Sequence, residues 1–176
     1  INRDFLKNEL GDNWKSTVAK ARILMNDYGA KIHLPVDVAA NIEGNRVDFQ
    51  VSELPIEAPL FDLGIQSIRY LSAAIKRAGT IVLNGPAGVF EITDFALGTV
   101  EMLNACAEST GYTVMGGGHT ATLVAKRGIA HKMGHVSTGG GACLDYIAGR
   151  QLPGVVALEE SALAFSMDIT TTVDNV

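Results

Sequence analysis

Positive charge is in short supply. Fourteen Lys and Arg face nineteen Asp and Glu in 176 residues, for a formal net charge of −5. A chain with no basic surplus has little to neutralise a polyphosphate backbone, so nucleic acid is not expected as a partner. Long apolar runs are missing as well. No stretch approaches the ~18 residues of a membrane span, so no membrane partner is expected. Cysteine is scarce: Cys106 and Cys143 are the only two. They are too few for a disulfide framework and do not stand at metal-pair spacing. No charged-then-apolar leader opens the chain, which gives secretion no support. The first residue is Ile1 rather than Met, as in a processed or cut chain. These absences predict a soluble, cytoplasmic protein. The composition is 47% apolar and 19% charged, which is globular rather than disordered. The length suits one domain with a sizeable core.

Glycine is what the chain does have, with 19 of them. Eight crowd into three short loops: Gly85 and Gly88, then Gly116, Gly117 and Gly118, then Gly139, Gly140 and Gly141.

Apolar spacing predicts a helix over residues 13–28, with Trp14, Val18, Ala21 and Met25 on one face. Asn13 is placed to cap it, and Gly29 to end it in a left-handed turn. Residues 31–34 read as a short strand stopped by Pro35. Residues 36–40 and 46–51 flank Glu43, Gly44 and Asn45 as two short strands about a turn. Residues 54–59 hold two prolines and read as a connector. A helix is predicted over 67–78, with Ile68, Leu71 and Ile75 inward. A strand follows over 80–83, then a helix from Thr93 or Asp94 to about Ala107. Residues 111–115 form another strand, 120–127 a short helix, 135–136 a brief strand and 142–148 a helix closed by Gly149. The tail after Val156 gives a weak signal. Strands alternate with helices, and the clearest strands are continuous apolar runs. That pattern predicts an α/β fold, a three-layer Rossmann-like domain with a mainly parallel sheet.

In such sheets ligands bind beyond the carboxyl ends of the strands. The glycine clusters lie at those ends, each between a strand and a helix. A glycine turn at a helix start offers unpaired N–H groups and the positive end of the helix dipole. It also lacks the Cβ atoms that would hold an anion away, so it forms a phosphate site. A single glycine turn is most often only a tight turn. Three at adjoining strand tips point to a polyphosphate, most simply a nucleotide.

Other chemistries fit less well. No G-x-x-x-x-G-K-[ST] occurs, which disfavours the P-loop class. Gly116, Gly118 and Ala121 match G-x-G-x-x-A, so a nicotinamide oxidoreductase is an alternative. However, the acidic residue expected ~20 positions further on is missing. A non-catalytic nucleotide-binding module is a second alternative. His119, His131 and His135 do not make a metal set, since no cysteine or carboxylate stands at ligand spacing. No metal-ligating residue is assigned. Ser137 and Thr138 lack the G-x-S-x-G elbow of a nucleophile and read as hydrogen-bonding or capping residues. Cys143, just inside a helix start, reads as a small buried group.

Several ordered motifs resemble the nucleotide domain of phosphoglycerate kinases. They are Asn84-Gly-Pro-Ala-Gly-Val-Phe-Glu91 with Phe95-Ala-Leu-Gly-Thr99, Gly116-Gly-Gly-His-Thr120, His135-Val-Ser-Thr-Gly-Gly-Gly-Ala142 and Leu152-Pro-Gly154. Upstream, Leu34-Pro-Val-Asp37 and Asp62-Leu-Gly64 fall in the family's order. The Ala87 and His119 variants look like the archaeal branch. The resemblance implies that residues 1–176 are the C-terminal, nucleotide-binding domain. It also implies that this domain's first segment and the N-terminal phosphoglycerate domain are missing.

The implied reaction is reversible phosphoryl transfer between 1,3-bisphosphoglycerate and ADP, giving 3-phosphoglycerate and ATP in glycolysis. The implied cofactors are ADP or ATP with Mg²⁺, and the partners are small molecules. By resemblance, Asn84, Pro86, Gly88 and Val89 would line the nucleotide pocket, and Glu91 would take the ribose hydroxyls. Gly117, Gly118, His119 and Thr120 would meet the phosphates. Gly118 with Gly139, Gly140 and Gly141 would face the transferring group. Many members carry an aspartate at the position of His119 that helps hold Mg²⁺. Lys31 follows Gly29-Ala30 but lies at the wrong place for the family's active-site lysine, so that role is not carried over. The piece alone is expected to be inactive.

Overall fold

A computed structural model describes residues 11–173, with side chains described to residue 165. The chain divides into two compact units. The first holds residues 11–81 and Pro86–Tyr112, the second Val82–Gly85 and residues 113–173.

The first unit is built on an antiparallel sheet of order β2-β1-β3. Strands β1 (Asp37–Ile42) and β2 (Asn45–Gln50) form the expected hairpin. Its turn needs two left-handed residues, Glu43 (φ 51°) and Gly44 (φ 90°), which matches the twist of the strands it joins. Strand β3 (Leu60–Leu63) pairs on the other side of β1. The sequence pattern did not reveal β3, because four residues carry too little alternation to be read.

Helix α1 (Trp14–Tyr28) forms where expected. Its ends and its face differ from expectation. Asn13 makes no side-chain cap, and Gly29 stays right-handed at φ −52°. The chain runs on into a 3-10 turn, Gly29–Lys31. Among the described residues α1 buries none of its side chains, and Ala21 and Met25 are exposed. The periodic stripe is present, but packing, not periodicity, decides burial. Residues 32–35 belong to no element, so the strand expected over 31–34 is absent.

Helices α2 (Ile65–Arg77) and α3 (Leu97–Glu108) complete the first unit. A 3-10 turn, Thr93–Phe95, precedes α3 and delays its start beyond the predicted caps. The core gathers Ala39, Ala40, Ile68, Phe95, Leu103, Ala105 and Cys106. Phe61 meets Phe95 edge-on at 5.1 Å between ring centroids. Burial pushes the Cys106 thiol up to about 11, as for an inert packing residue.

The second unit is an α/β structure on a sheet of order β4-β5-β6. The strands are β4 (Thr80–Asn84, which enters from the first unit), β5 (Tyr112–Gly116) and β6 (His135–Val136). Strands β5 and β6 run parallel, pairing Val114 with His135 and Met115 with Val136. Helix α4 (Gly118–Lys126) follows β5, and α5 (Gly141–Ile147) follows β6. A further helix, α6 (Pro153–Val173), occupies the tail that gave only a weak signal. Met115, Thr120, Val124 and Met133 form the core under the sheet edge.

The predicted α/β class therefore holds, with parallel strands where the glycine loops leave. The sequence did not show that the first half would build its own antiparallel sheet.

Candidate functional site

The carboxyl ends of β4, β5 and β6 lie together. The Ser137 N–H donates to the Met115 carbonyl at 2.7 Å, which carries the β5–β6 ladder one residue past β6. Asn84, the last residue of β4, sits against the end of β5. A Cβ on Gly116 would come within 2.7 Å of Asn84 Oδ1, and one on Gly117 within 3.7 Å of both that oxygen and the Gly85 nitrogen. So Asn84, Gly116–Gly118 and the loop from Ser137 to Gly141 share one sheet edge, all within the second unit.

Each glycine there has its own cause. Gly116 leaves room for the Asn84 carboxamide. Gly117 is the N-cap of α4 at φ 94°, and Gly140 the N-cap of α5 at φ 49°. Side chains rarely adopt either conformation. Gly118 differs. Its backbone is helical, and a Cβ on it would meet nothing within 4 Å. Nothing in the protein's own packing asks for glycine at 118, and the space over it is open.

The edge is rich in donors. A helix start leaves its first N–H groups without intrahelical acceptors, and Gly117 carries no side chain to cap α4. Thr120, in the first turn of α4, is fully buried, and its Oγ1 has no hydrogen-bond partner. That hydroxyl lies beside Gly117, 3.8 Å from where a Cβ would stand. An unpartnered buried hydroxyl costs about 1–3 kcal/mol, and Ser72 Oγ in the first unit is in the same state. At the third loop, Ser137 Oγ accepts the Gly139 N–H at 3.2 Å. It shapes the loop, as the sequence suggested.

Residues 86–91 belong to the first unit, and the structure corrects what was expected of their backbone. The Ala87 and Gly88 N–H groups donate to Thr99 Oγ1 at 3.0 and 3.3 Å, and the Val89 N–H to the Phe61 carbonyl at 2.8 Å. These amides are engaged inside the protein and are not open to a phosphate. Gly88 also has a packing cause: a Cβ there would stand 2.5 Å from Asp62 Oδ1. Glu91 is exposed.

Sequence reasoning gave no role to the buried acids of the first unit. Asp37 accepts the Gln66 and Ser67 N–H groups at 2.9 and 2.7 Å and the Ser67 hydroxyl at 2.6 Å, capping α2 from β1. Burial pushes the Asp37 carboxyl up. Hydrogen bonds from the Ser67 hydroxyl, the Ser67 N–H and the Gln66 N–H outweigh it and hold the carboxyl below its ordinary value. Asp62 is bound by Arg46 at 2.8 Å. The Leu34–Asp37 and Asp62–Gly64 motifs carried these acids in plain view, but no local pattern shows which helix an acid will cap.

Among the described residues, no group of three His, Cys, Asp or Glu is placed to hold a metal ion. At the glycine edge the sequence offers His119, a nitrogen ligand that suits an oxygen-seeking ion such as Mg²⁺ poorly. The residues present do not fit a magnesium held by the protein.

Known proteins resemble the chain over most of its length. The family model for phosphoglycerate kinase matches residues 5–150. The phosphoglycerate kinase of Methanothermus fervidus is 43% identical over 149 residues, which is 85% of this chain and 36% of that protein. The one from Methanosarcina mazei is 45% identical over 159 residues, covering 90% of this chain and 37% of the relative. The crystal structure of the phosphoglycerate kinase from Pyrococcus horikoshii matches with a TM-score of 0.77 at 36% identity. That match covers 90% of this chain and 39% of the other. The chain thus spans little more than a third of the length of these curated relatives.

Proposed function

Because the chain belongs to the phosphoglycerate kinase family, we propose that it supplies the ADP/ATP site of such an enzyme. The reaction moves a phosphoryl group from the acyl phosphate of 1,3-bisphosphoglycerate to the terminal oxygen of ADP, leaving 3-phosphoglycerate, and runs in both directions. In phosphoryl transfer a protein mainly positions the groups and stabilises spread negative charge. The carboxyl edge of β4-β5-β6 suits that task. Gly117, Gly118 and Thr120 at the start of α4 receive the phosphates. Gly139, Gly140 and Gly141 face the transferring group. Asn84, Pro86, Gly88 and Val89 line the nucleotide, Glu91 takes its ribose hydroxyls, and His119 contacts a phosphate oxygen. Magnesium enters with the nucleotide, carried on its phosphates. The phosphoglycerate site lies on a part of the enzyme outside this chain, and the protein works in the cytoplasm.

The observation that carries this reading is the meeting of Asn84, Gly117 and the Ser137–Gly141 loop at one sheet edge, with the unpartnered Thr120 hydroxyl beside Gly117. Calorimetric titration of the 176-residue chain with ADP tests it, with NADH as the comparison. Saturable binding of ADP but not NADH is expected. Binding of NADH alone would favour an oxidoreductase, and binding of neither would overturn the nucleotide site.

A further inference from the structure

We infer that Arg46, Asp62 and Thr99 form a positioning device that fixes the backbone of residues 87–89. This segment follows Asn84 in the sequence. The inference rests on the nucleotide reading above and adds residues to it that touch no ligand themselves.

The device is built from the inside outward. The Asp62 side chain has no solvent exposure. Its Oδ2 accepts Arg46 Nη1 at 2.8 Å and the Gly98 N–H at 2.9 Å, and its Oδ1 accepts the Leu63 N–H at 2.8 Å. Arg46 is held in turn: Nη2 donates to the Leu63 carbonyl at 2.6 Å, Nη1 to the Asp94 carbonyl at 3.0 Å and Nε to Asp48 at 3.1 Å. A buried carboxylate with this many donors, one of them from the first turn of α3, has a single position available.

That position sets the glycines around it. Cβ atoms on Gly88 and Gly98 would stand 2.5 and 2.2 Å from Asp62 Oδ1. The carboxylate therefore fills the slot between the 87–89 segment and the start of α3. Thr99, one residue beyond Gly98 and 2% exposed, closes the device. Its Oγ1 accepts two successive amides, Ala87 and Gly88, while the Phe61 carbonyl takes the third, Val89. Three consecutive N–H groups are consumed in holding the segment still. It therefore offers a ligand a fixed surface of side chains and carbonyls, not amide donors. A segment held in one conformation before the ligand arrives binds it without an ordering cost.

Thr99→Val keeps the shape of the side chain and deletes the acceptor, while Thr99→Ser keeps the acceptor. If release leaves the fixed conformation populated about one time in ten, apparent ADP affinity falls about tenfold. We expect that loss in Thr99→Val by calorimetry, affinity close to the parent's in Thr99→Ser, and a smaller loss in Arg46→Lys. Hydrogen exchange at Ala87 and Gly88 should rise in Thr99→Val and stay slow in Thr99→Ser. Parent-like ADP affinity in both Thr99→Val and Arg46→Lys would overturn the positioning role. Unchanged exchange at Ala87 and Gly88 in Thr99→Val would overturn the clamp itself. Failure of the parent chain to bind ADP counts against the nucleotide reading instead, and the exchange measurement then still decides the clamp. Should Thr99→Val not fold, Arg46→Lys carries both measurements.

Discussion

At the scale of single residues, Gly117 and Gly118 show how neighbouring glycines can have opposite causes. Gly117 is left-handed at φ 94°, so the backbone alone demands it. Gly118 is helical and faces open space, so neither its backbone nor its packing requires glycine, and under the proposed function the space admits a phosphate. The two substitutions should therefore separate. Gly118→Val should leave thermal stability near the parent's and weaken ADP by at least about tenfold, or ~1.4 kcal/mol. Gly117→Val should lower stability as well, through backbone strain of about 1–3 kcal/mol. Calorimetry beside thermal unfolding reads both. Unchanged ADP affinity in Gly118→Val would remove the loop from the site. The sequence pointed to both glycines as one motif. Only their backbone angles and surroundings told them apart.

At the scale of elements, the helix starts are set by acids and hydroxyls that come from far along the chain. Asp37, on β1, caps α2 some thirty residues later. Asp37→Ala should expose two helix-start amides and lower stability by about 2 kcal/mol in urea unfolding. The sign with pH follows from the lowered carboxyl. The folded value lies below the ordinary 3.8, so the stabilisation is complete above that value. It is lost as pH falls through the lower folded one. The parent's unfolding midpoint should drop over that acid window, and the drop should be smaller in Asp37→Ala. Equal acid sensitivity in both would show that Asp37 is not the group responsible.

The legibility of elements followed the same division. Helices α1 and α2 and strands β4 and β5 could be read because periodicity and apolar runs are local properties. Residues 31–34 looked like a strand but have none alongside, and an isolated strand has no ladder to stabilise it. The tail did the reverse. Pro153 sits where a helix tolerates it best, at the first position. Val155 and Val156 follow at once, though, and their β preference masked the 21 residues of α6.

At the scale of the whole molecule, the chain spans little more than a third of its curated relatives. Under the proposed function it holds one of the two substrates, and closure against the other part must bring them in line and expel water. The chain alone should show no measurable phosphoglycerate kinase turnover. Adding a separately made N-terminal half of a family member should restore some. A coupled assay reads the difference. Full turnover by the chain alone would contradict the division of labour.

The α/β class, the positions of the three glycine clusters after strands, and the family were all legible in the order of residues. All three rest on short-range chemistry: apolar spacing, missing Cβ atoms and ordered motifs. Which hydrogen-bond groups near those clusters are already taken became visible only after folding. The Ala87, Gly88 and Val89 amides are taken by Thr99 and Phe61, whereas Thr120 still holds a hydroxyl without a partner. A hydrogen-bond partner is chosen by distance in space, and residues 61, 62 and 99 come near residue 88 only once β3 and α3 have packed.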